Sequence, residues 1–477
     1  KMNNIEISNV LKAINGELLL GVSGLRITGI STDSRSIKEG ELFFALEGEN
    51  YNGHKFIDQA VSNGAAGAVI SSNKGAVYSS LSGVKKCILI EVVDTLKALG
   101  DLAKFYRKSL RTEFVAVTGS NGKTTTKDMI YHVLCNFNNV TRSRKSFNNY
   151  IGVPLTIFES DFTQDFCVVE MGTNAPGEIR RLSEIIFSDF TILTNISCTH
   201  LEGLGSIEGV ANAKAEFVEN MAEDGVLITN ADDDWCTRIA SRFDGKVITF
   251  GYSKSADIRA SNVKRSDSGF SFTVNDVFDF KLNVLGKHNI YNAMAAIAVC
   301  NAVGIGMGDI CGKLIDFNLP PMRMEKQVYG DIVVINDGYN SNPSSMSAAL
   351  DEFSQLATPG RKILVCGDML ELGNYAESLH REVGAKVANA NIDILWTVGS
   401  FSRFVAEEAI ANGMSEERIR GCDTSEEASS LVASQLKKDD TVLIKGSRGM
   451  KLENVVRQIE SCFFKKDKNN SALLSLV

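Results

Sequence analysis

Six consecutive residues, Gly119-Ser120-Asn121-Gly122-Lys123-Thr124, set two glycines, a lysine and a hydroxyl between an apolar run, Phe114 to Val117, and an amphipathic stretch, Lys127 to Leu134. The first run reads as a short buried strand and the second as a helix. A glycine-rich turn entering a helix N-terminus is an anion site, because backbone N–H groups and the helix dipole both face the ligand. Glycine also lets the backbone close on phosphate oxygens without a Cβ in the way. Lys123, expected to stand exposed at the helix start, would reach the β- and γ-phosphates, and Thr124 would hold Mg²⁺. The candidate nucleotide cradle is therefore Gly119, Ser120, Asn121, Gly122, Lys123, Thr124 and Thr125. The match to the general phosphate-loop pattern is shortened: Val117 stands where that pattern has its first glycine. The plainer reading is a strand–turn–helix with a solvated lysine.

Other groups fall where neighbouring strands should end, which is where ligands bind in parallel sheets. "CVVEMG" ends at Glu170, a carboxylate placed to hold Mg²⁺, and "TILTNI" ends at Asn195, with His200 following. Taken singly, Glu170 reads as a capping or ion-pairing acid and His200 as a loop histidine. With the phosphate loop they outline a metal–nucleotide site. Lys214, in the helical "GVANAKAEFVENM", reads from composition as a solvated helix lysine. The sharper reading is an amine whose pKa is depressed by burial and nearby cations, free to add CO₂ and become an anionic metal ligand. Asn289 and Asn292 share a helix face that could read a base edge, or Asn289 could simply cap that helix. "INDGYNSNPSSM" crowds Asp337, Tyr339, Asn340 and Asn342 onto one turn, and "KGSRGM" carries Lys445 and Arg448 as anion contacts. The planar fork of Arg448 suits a carboxylate.

The elements that must position these groups alternate. From Thr112 onward short apolar strands alternate with helices, which implies a mostly parallel sheet covered on both faces. From Asp257 to Leu285 only strands appear, an antiparallel extension. "KHNIYNAMAAIAVCNAVG" follows as an Ala-rich helix, and the prolines of "NLPPMRMEK" mark a boundary. A third unit has strands "DIVVIND", "RKILVCGD", "DILWTVG" and "DTVLIKG", a last helix from Met450 to Ile459 and a loose tail from Lys465. The first hundred residues mix short strands and helices, and the helix "TLKALGDLAKFYRKSL" reads as a hinge into the next unit. The expected fold is thus α/β in three domains: a small mixed α/β unit at 1–98, a central phosphate-loop unit at 99–318 and a Rossmann-like unit at 319–477. The 477 residues fit that number.

Fifty basic against 58 acidic residues leave a net charge of −8, which argues against nucleic acid as the main partner. No apolar run approaches a membrane span. The stretch "KMNNIEISNV" lacks a signal-peptide core, and the ten cysteines form no C-x-x-C pair, so a reduced, cytoplasmic protein is expected.

Taken together, "TGSNGKTTTKDM", "NNYIGVPLT", "EMGTNAPGEI", "TNISCTHLEGLGSIEGVANAKAE", "GKHNIYNAMAA", "DGYNSNPSSMSAAL", "GDMLELG" with "LHREVG", and "KGSRGM" resemble the Mur ligases, in order and over nearly the whole chain. Near the N-terminus "STDSRSIKEGELFFAL" also fits. Within that family the blocks resemble the member that joins D-alanyl-D-alanine to a UDP-N-acetylmuramoyl-tripeptide, an ATP-dependent acid–amino-acid ligation requiring Mg²⁺ and expected of a monomer.

The resemblance implies roles. Lys123 contacts the phosphates, and Thr124, Glu170 and His200 serve the metal sites. Lys214 aligns with a carbamylated lysine. Asn289 and Asn292 face adenine, and Arg323 and Asp337 reach the nucleotide from the closing domain. Ser31, Asp33, Ser34 and Arg35 belong to the uridine-diphosphate region, Asn148 and Asn149 to the substrate side, and Arg448 faces the dipeptide carboxylate. The resemblance assigns nothing to Asp368, Glu371 or His380, and His380 reads as a solvated helix residue. Folylpolyglutamate synthase and the ligase that adds the third peptide residue are the nearest alternatives; "DGYNSNPSSM" and "KGSRGM" favour the D-alanyl-D-alanine enzyme. A catalytically dead nucleotide switch is an alternative of another class, against which intact Lys123, Thr124, Glu170, His200 and Lys214 argue.

Overall fold

The structure is a computed structural model that describes residues 2–49, 51–72 and 87–473. Three sheets organise the chain. The first has five strands in the spatial order Glu17–Leu20, Ile88–Val92, Gly67–Ser71, Glu41–Phe44 and Gly29–Ser31, parallel except at the Glu17–Leu20 edge. The second has nine strands. Its parallel part runs Val140–Arg142, Phe166–Glu170, Glu113–Thr118, Phe190–Leu193, Val226–Asn230, Lys246–Gly251 and the start of Ile258–Ser266. Gly269–Val274 and Phe278–Leu282 then continue it antiparallel, the extension expected from the run of strands without helices.

The third sheet has six strands in the order Glu325–Tyr329, Ile332–Asn336, Thr441–Lys445, Lys362–Gly367, Ile394–Val398 and Ile419–Cys422. Its two outermost strands are absent from the sequence reading. Glu325–Tyr329 alternates half-buried and exposed positions, and Ile419–Cys422 buries only its last residue. Edge strands solvated on one face carry too little apolar signal to stand out.

In the central sheet, Phe114, Val115, Ala116 and Val117 are all fully buried. The helix Asn289–Ala302, apolar nearly all round, covers one face with Lys123–Leu134 in a single core. Helices on both faces leave the carboxyl edge of the sheet as the open, polar side.

Three expectations change. The helix Thr95–Ser109 is a clamp rather than a hinge: its first residue donates from Thr95 Oγ1 to Ala45 O at 3.1 Å in the first unit. At its far end Tyr106 Oη donates to Ser160 O (2.7 Å), and Arg107 binds the carbonyls of Ile186 and Phe187 and the Asp189 carboxylate in the second. The division expected at 98/99 falls inside this helix. Second, the final helix spans Glu453–Leu473, so the supposed loose tail is helical backbone to Leu473; residues 474–477 lie outside the described part.

Third, His380 is fully buried, not solvated. Its Nε2 accepts from Met369 N–H (3.0 Å), so the ring proton sits on Nδ1 and is donated to Ala376 O (2.6 Å). The ring stacks on Phe401 at 5.7 Å. The neutral ring therefore pins the turn after strand Lys362–Gly367.

Burial pulls the His380 pKa below its ordinary 6.5, although the Ala376 carbonyl and Asp368 oppose this. A depressed folded value means that below pH 6.5 the unfolded chain takes up a proton the folded chain refuses, so this contribution to stability falls as the pH falls. His380→Ala, which leaves an amide and a carbonyl unpaired beside a cavity, is expected to cost about 2–4 kcal/mol in urea unfolding at neutral pH. Its stability should also fall less steeply than the wild type's between pH 6.5 and 5; an unchanged slope would remove His380 as its source.

Candidate active site

The carboxyl edge of the central sheet and the loops of the third sheet enclose one cavity of about 690 Å³. Its floor is the loop after strand Glu113–Thr118. That loop runs without a break into the helix Lys123–Leu134, which starts four residues earlier than the amphipathic pattern suggested. Gly119 and Gly122 both have left-handed backbone, at φ 135° and 82°. A Cβ at Gly119 would lie 2.0 Å from Thr194 Oγ1, and one at Gly122 2.2 Å from Asn292 Oδ1. These contacts show what shapes the cradle. Asn195, just past strand Phe190–Leu193, accepts from Asn121 N (3.0 Å) and donates to Asn121 O (3.1 Å). Thr194 Oγ1 donates to the same carbonyl at 2.6 Å, and Ser197 N donates to Ser120 Oγ at 2.9 Å. The role of Thr194 and Ser197 as the second wall escaped the sequence reading; the polar cluster "TNISCTH" directly after a buried strand was the available signal.

Lys123 is half-buried rather than exposed, and folds back to donate to the loop's own carbonyls, Gly119 O (2.8 Å) and Ser120 O (3.1 Å). Burial lowers its pKa and Arg323 adds to that, while Glu170 opposes. Thr125 is buried beneath the loop. Thr124 Oγ1 donates to Glu170 Oε2 at 2.8 Å and receives Arg323 Nη2 at 2.8 Å. The other Glu170 oxygen accepts from Asn148 Nδ2 at 2.9 Å. Asn149 caps the next helix by accepting from Ile151 N and Gly152 N. Lys127, read from the sequence only as the start of the helix, is buried 3.5 Å from Asp128 and 4.0 Å from Glu170 and donates to the carbonyls of Ser143 and Lys145.

Lys214 stands near the end of helix Ile207–Ala215. It is fully buried, and its Nζ has no hydrogen-bond partner. Burial, with Lys123 adding to it, pulls its pKa well below the ordinary 10.5, and Glu170 opposes only in part. The solvated-lysine reading is therefore wrong. An unpaired buried amine is costly when charged and is relieved by losing its proton.

His200, with left-handed backbone at φ 53°, lines the cavity, and its Nδ1 lies 2.5 Å from Glu371 Oε2. Asn289 and Asn292 are buried and bonded to one another, Asn292 Nδ2 donating to Asn289 Oδ1 at 2.8 Å. Asn289 also donates to Leu285 O, and Asn292 accepts from Thr126 Oγ1 at 3.2 Å, so both brace the loop as well as line the cavity.

The third sheet supplies the roof. Asn342 Nδ2 donates to Asn121 Oδ1 at 2.7 Å, Tyr339 bonds Ser146, and Arg323 stacks over the Tyr339 ring at 4.3 Å. Lys445, expected as a free anion contact, is buried and committed to Asp337 Oδ2 (2.7 Å) and Asn340 O (3.1 Å). Asp337 also accepts from Met324 N at 3.0 Å, so this pair braces the turn. Arg448 remains more than half exposed beside Glu453 at 3.1 Å. Asp368 caps the helix Ser402–Ala411 by accepting from Phe401 N and Ser402 N. Ser31, Asp33, Ser34 and Arg35 do not line this cavity. They form a turn of the first unit, where the Arg35 guanidinium (2.8 Å) holds the Asp33 carboxyl down at about 2.

Three family models match the chain: the Mur ligase family catalytic domain at residues 26–107, the Mur ligase middle domain at 117–300 and the Mur ligase glutamate ligase domain at 322–448. A UDP-N-acetylmuramoyl-tripeptide–D-alanyl-D-alanine ligase of Bacillus subtilis is 38% identical over 435 residues, 91% of this chain and 93% of the relative. The chain belongs to the Mur ligase family. Among solved Mur ligases, MurF from Acinetobacter baumannii superposes with a TM-score of 0.85 at 27% identity, covering 96% of this chain and 99% of that one. MurF from Thermotoga maritima in complex with ADP gives 0.78 at 25% identity, over 92% and 98%.

If the glycine conformation is what lets this Mur ligase loop close on phosphate, Gly122→Ala should weaken ADP binding at least tenfold in titration calorimetry. Its backbone is strained for alanine, and Asn292 blocks the Cβ. Unaltered affinity would show that the loop shifts freely.

Proposed function

We propose that this chain is the ATP-dependent ligase that joins D-alanyl-D-alanine to a UDP-N-acetylmuramoyl-tripeptide in peptidoglycan precursor synthesis. The reading is supported by one convergence. In a chain that matches a relative of that name over 91% of its length, the phosphate loop, Glu170 and the turn bearing Arg448 line a single cavity, and the buried, unpaired Lys214 amine, outside that lining, feels both Lys123 and Glu170. In the reaction the tripeptide's terminal carboxylate takes the γ-phosphoryl group of ATP, the dipeptide amine attacks that acyl phosphate, and inorganic phosphate leaves.

The residues present fit ATP and Mg²⁺. The cradle has no room for Cβ atoms at Gly119 and Gly122, and Lys123 and Arg323 border it beside Glu170, positive charge suited to phosphates. Among the described residues no three His, Cys, Asp or Glu side chains cluster as a ready metal cage. That suits Mg²⁺, which keeps several waters and takes few protein ligands. Thr124, Glu170, His200 and a carbamate on Lys214 would hold it, and bound Mg²⁺ would neutralise phosphate and carboxylate charge.

The chain's own groups position and shield. Gly119 to Thr125 with Lys123 hold the phosphates; Asn289, Asn292, Arg323 and Asp337 hold the rest of the nucleotide. Asn148, Asn149, Tyr339, Asn340 and Asn342 border the acceptor, and Arg448 faces the dipeptide carboxylate while Lys445 braces the turn through Asp337. Ser31, Asp33, Ser34 and Arg35 take the uridine diphosphate. In this scheme the first unit binds the UDP end, the central unit binds ATP and the third unit brings the dipeptide and excludes water from the acyl phosphate.

Phosphate release should require both the UDP-muramoyl-tripeptide and D-alanyl-D-alanine. Release without the dipeptide, or ligation of L-glutamate to a folate, would overturn the assignment. Lys214→Ala should lose nearly all turnover, with partial rescue by small carboxylic acids that fill the vacated space. Carbon-13 bicarbonate should label the wild type with a carbamate resonance that is absent from the variant. An active enzyme without that resonance would refute the carbamate.

A further inference from the structure

Glu371 has no assigned role, yet it makes a closely defined contact across two units of the chain. Its Oε2 lies 2.5 Å from His200 Nδ1, while its backbone carbonyl accepts from Glu202 N at 3.1 Å. Both partners hold left-handed backbone, Glu371 at φ 63° and His200 at φ 53°, a conformation that non-glycine residues adopt at a cost and that surrounding structure must enforce. The neighbours of both residues, Leu201 and Leu372, are buried. The turn after strand Lys362–Gly367 is thereby seated on the short helix Leu201–Leu204.

A carboxylate only accepts hydrogen bonds, so Nδ1 must be the donor whether the imidazole is neutral or protonated. Nε2 is then the nitrogen that can carry the lone pair, and His200 lines the cavity. We infer that Glu371 is a positioning residue: it fixes His200 in the Nδ1–H tautomer and fixes its ring orientation, leaving Nε2 for the ligand-binding side. Because Glu371 belongs to the third sheet's loops and His200 to the central sheet's, the histidine is set only when the two are seated together. A hydrogen bond to the distal nitrogen is the usual means of orienting a ligating histidine. Here that bond also reports assembly of the site. The inference rests on the proposed ligase reading for what His200 serves, but the tautomer does not depend on it.

The test compares wild type, Glu371→Gln and Glu371→Ala. Long-range nitrogen-15 correlation spectra of histidine-labelled full-length protein report the tautomer, and the His200 signal is assigned by its loss in His200→Asn. Steady-state ligation is measured at varied Mg²⁺ and ATP. Wild-type His200 should be Nδ1–H. In Glu371→Ala the Nε2–H form should appear, kcat should fall about tenfold to a hundredfold, and the KM for ATP should change little. Glu371→Gln keeps an accepting oxygen and should restore much of both readouts, with all three proteins melting alike because Glu371 is half exposed. An unchanged tautomer in Glu371→Ala, or an unchanged kcat, would overturn the inference, as would a loss confined to KM or to melting temperature. A wild type that does not ligate would overturn the functional reading instead, and the spectra would still decide the positioning.

Discussion

The Glu170 carboxylate is the interaction on which the site depends. It is buried at the end of a central strand, and one oxygen takes the Thr124 hydroxyl while the other takes the Asn148 amide. A buried anion without such partners would cost several kcal/mol. Meeting that demand fixes three elements together: the strand Phe166–Glu170, the helix opened by the phosphate loop, and the loop 143–149 that Lys127 grips by two carbonyls. It also explains the excess of cations. Lys123, Lys127 and Lys214 all feel Glu170, yet burial pulls each below its ordinary value. Lys127 has a second carboxylate, Asp128 at 3.5 Å, but Lys123 and Lys214 have only Glu170 to oppose their desolvation, an imbalance that a polyanionic ligand would relieve.

Much of this was legible in the sequence because it depends on local chemistry. The phosphate loop announces itself through glycine, lysine and threonine between a strand and a helix, and the strand ends follow from apolar runs that stop at polar residues. What stayed hidden depends on distance in space. Nothing around "LHREVG" shows that both His380 nitrogens are claimed by the turn at Met369 and by Ala376. Nothing in "KGSRGM" shows that Lys445 is already paired with Asp337, more than a hundred residues away. The two outer strands of the third sheet were missed for the opposite reason: their half-solvated faces dilute the apolar pattern on which strand recognition rests.

The roof of the cavity is held by polar bonds, Asn342 to Asn121, Tyr339 to Ser146, Arg323 to Thr124, Glu371 to His200 and the buried Glu352 to Arg265 and Lys287, with an apolar core that the units share behind them. The first four each join a loop of the third sheet to a residue that itself shapes the cradle or borders it. Each such bond contributes a modest net free energy because water can take its place, whereas the floor is built on buried strands and covered helices.

The helix Thr95–Ser109 carries a different consequence. Bonded at its first residue to the first unit and through its last turn to the second, it is a strut of fifteen residues, about 22 Å long at 1.5 Å per residue. A strut of covalent length does not stretch. The separation between Ala45 in the first unit and the Ser160 and Ile186 carbonyls in the second is therefore set by a count of residues, as a rod sets the distance between its ends.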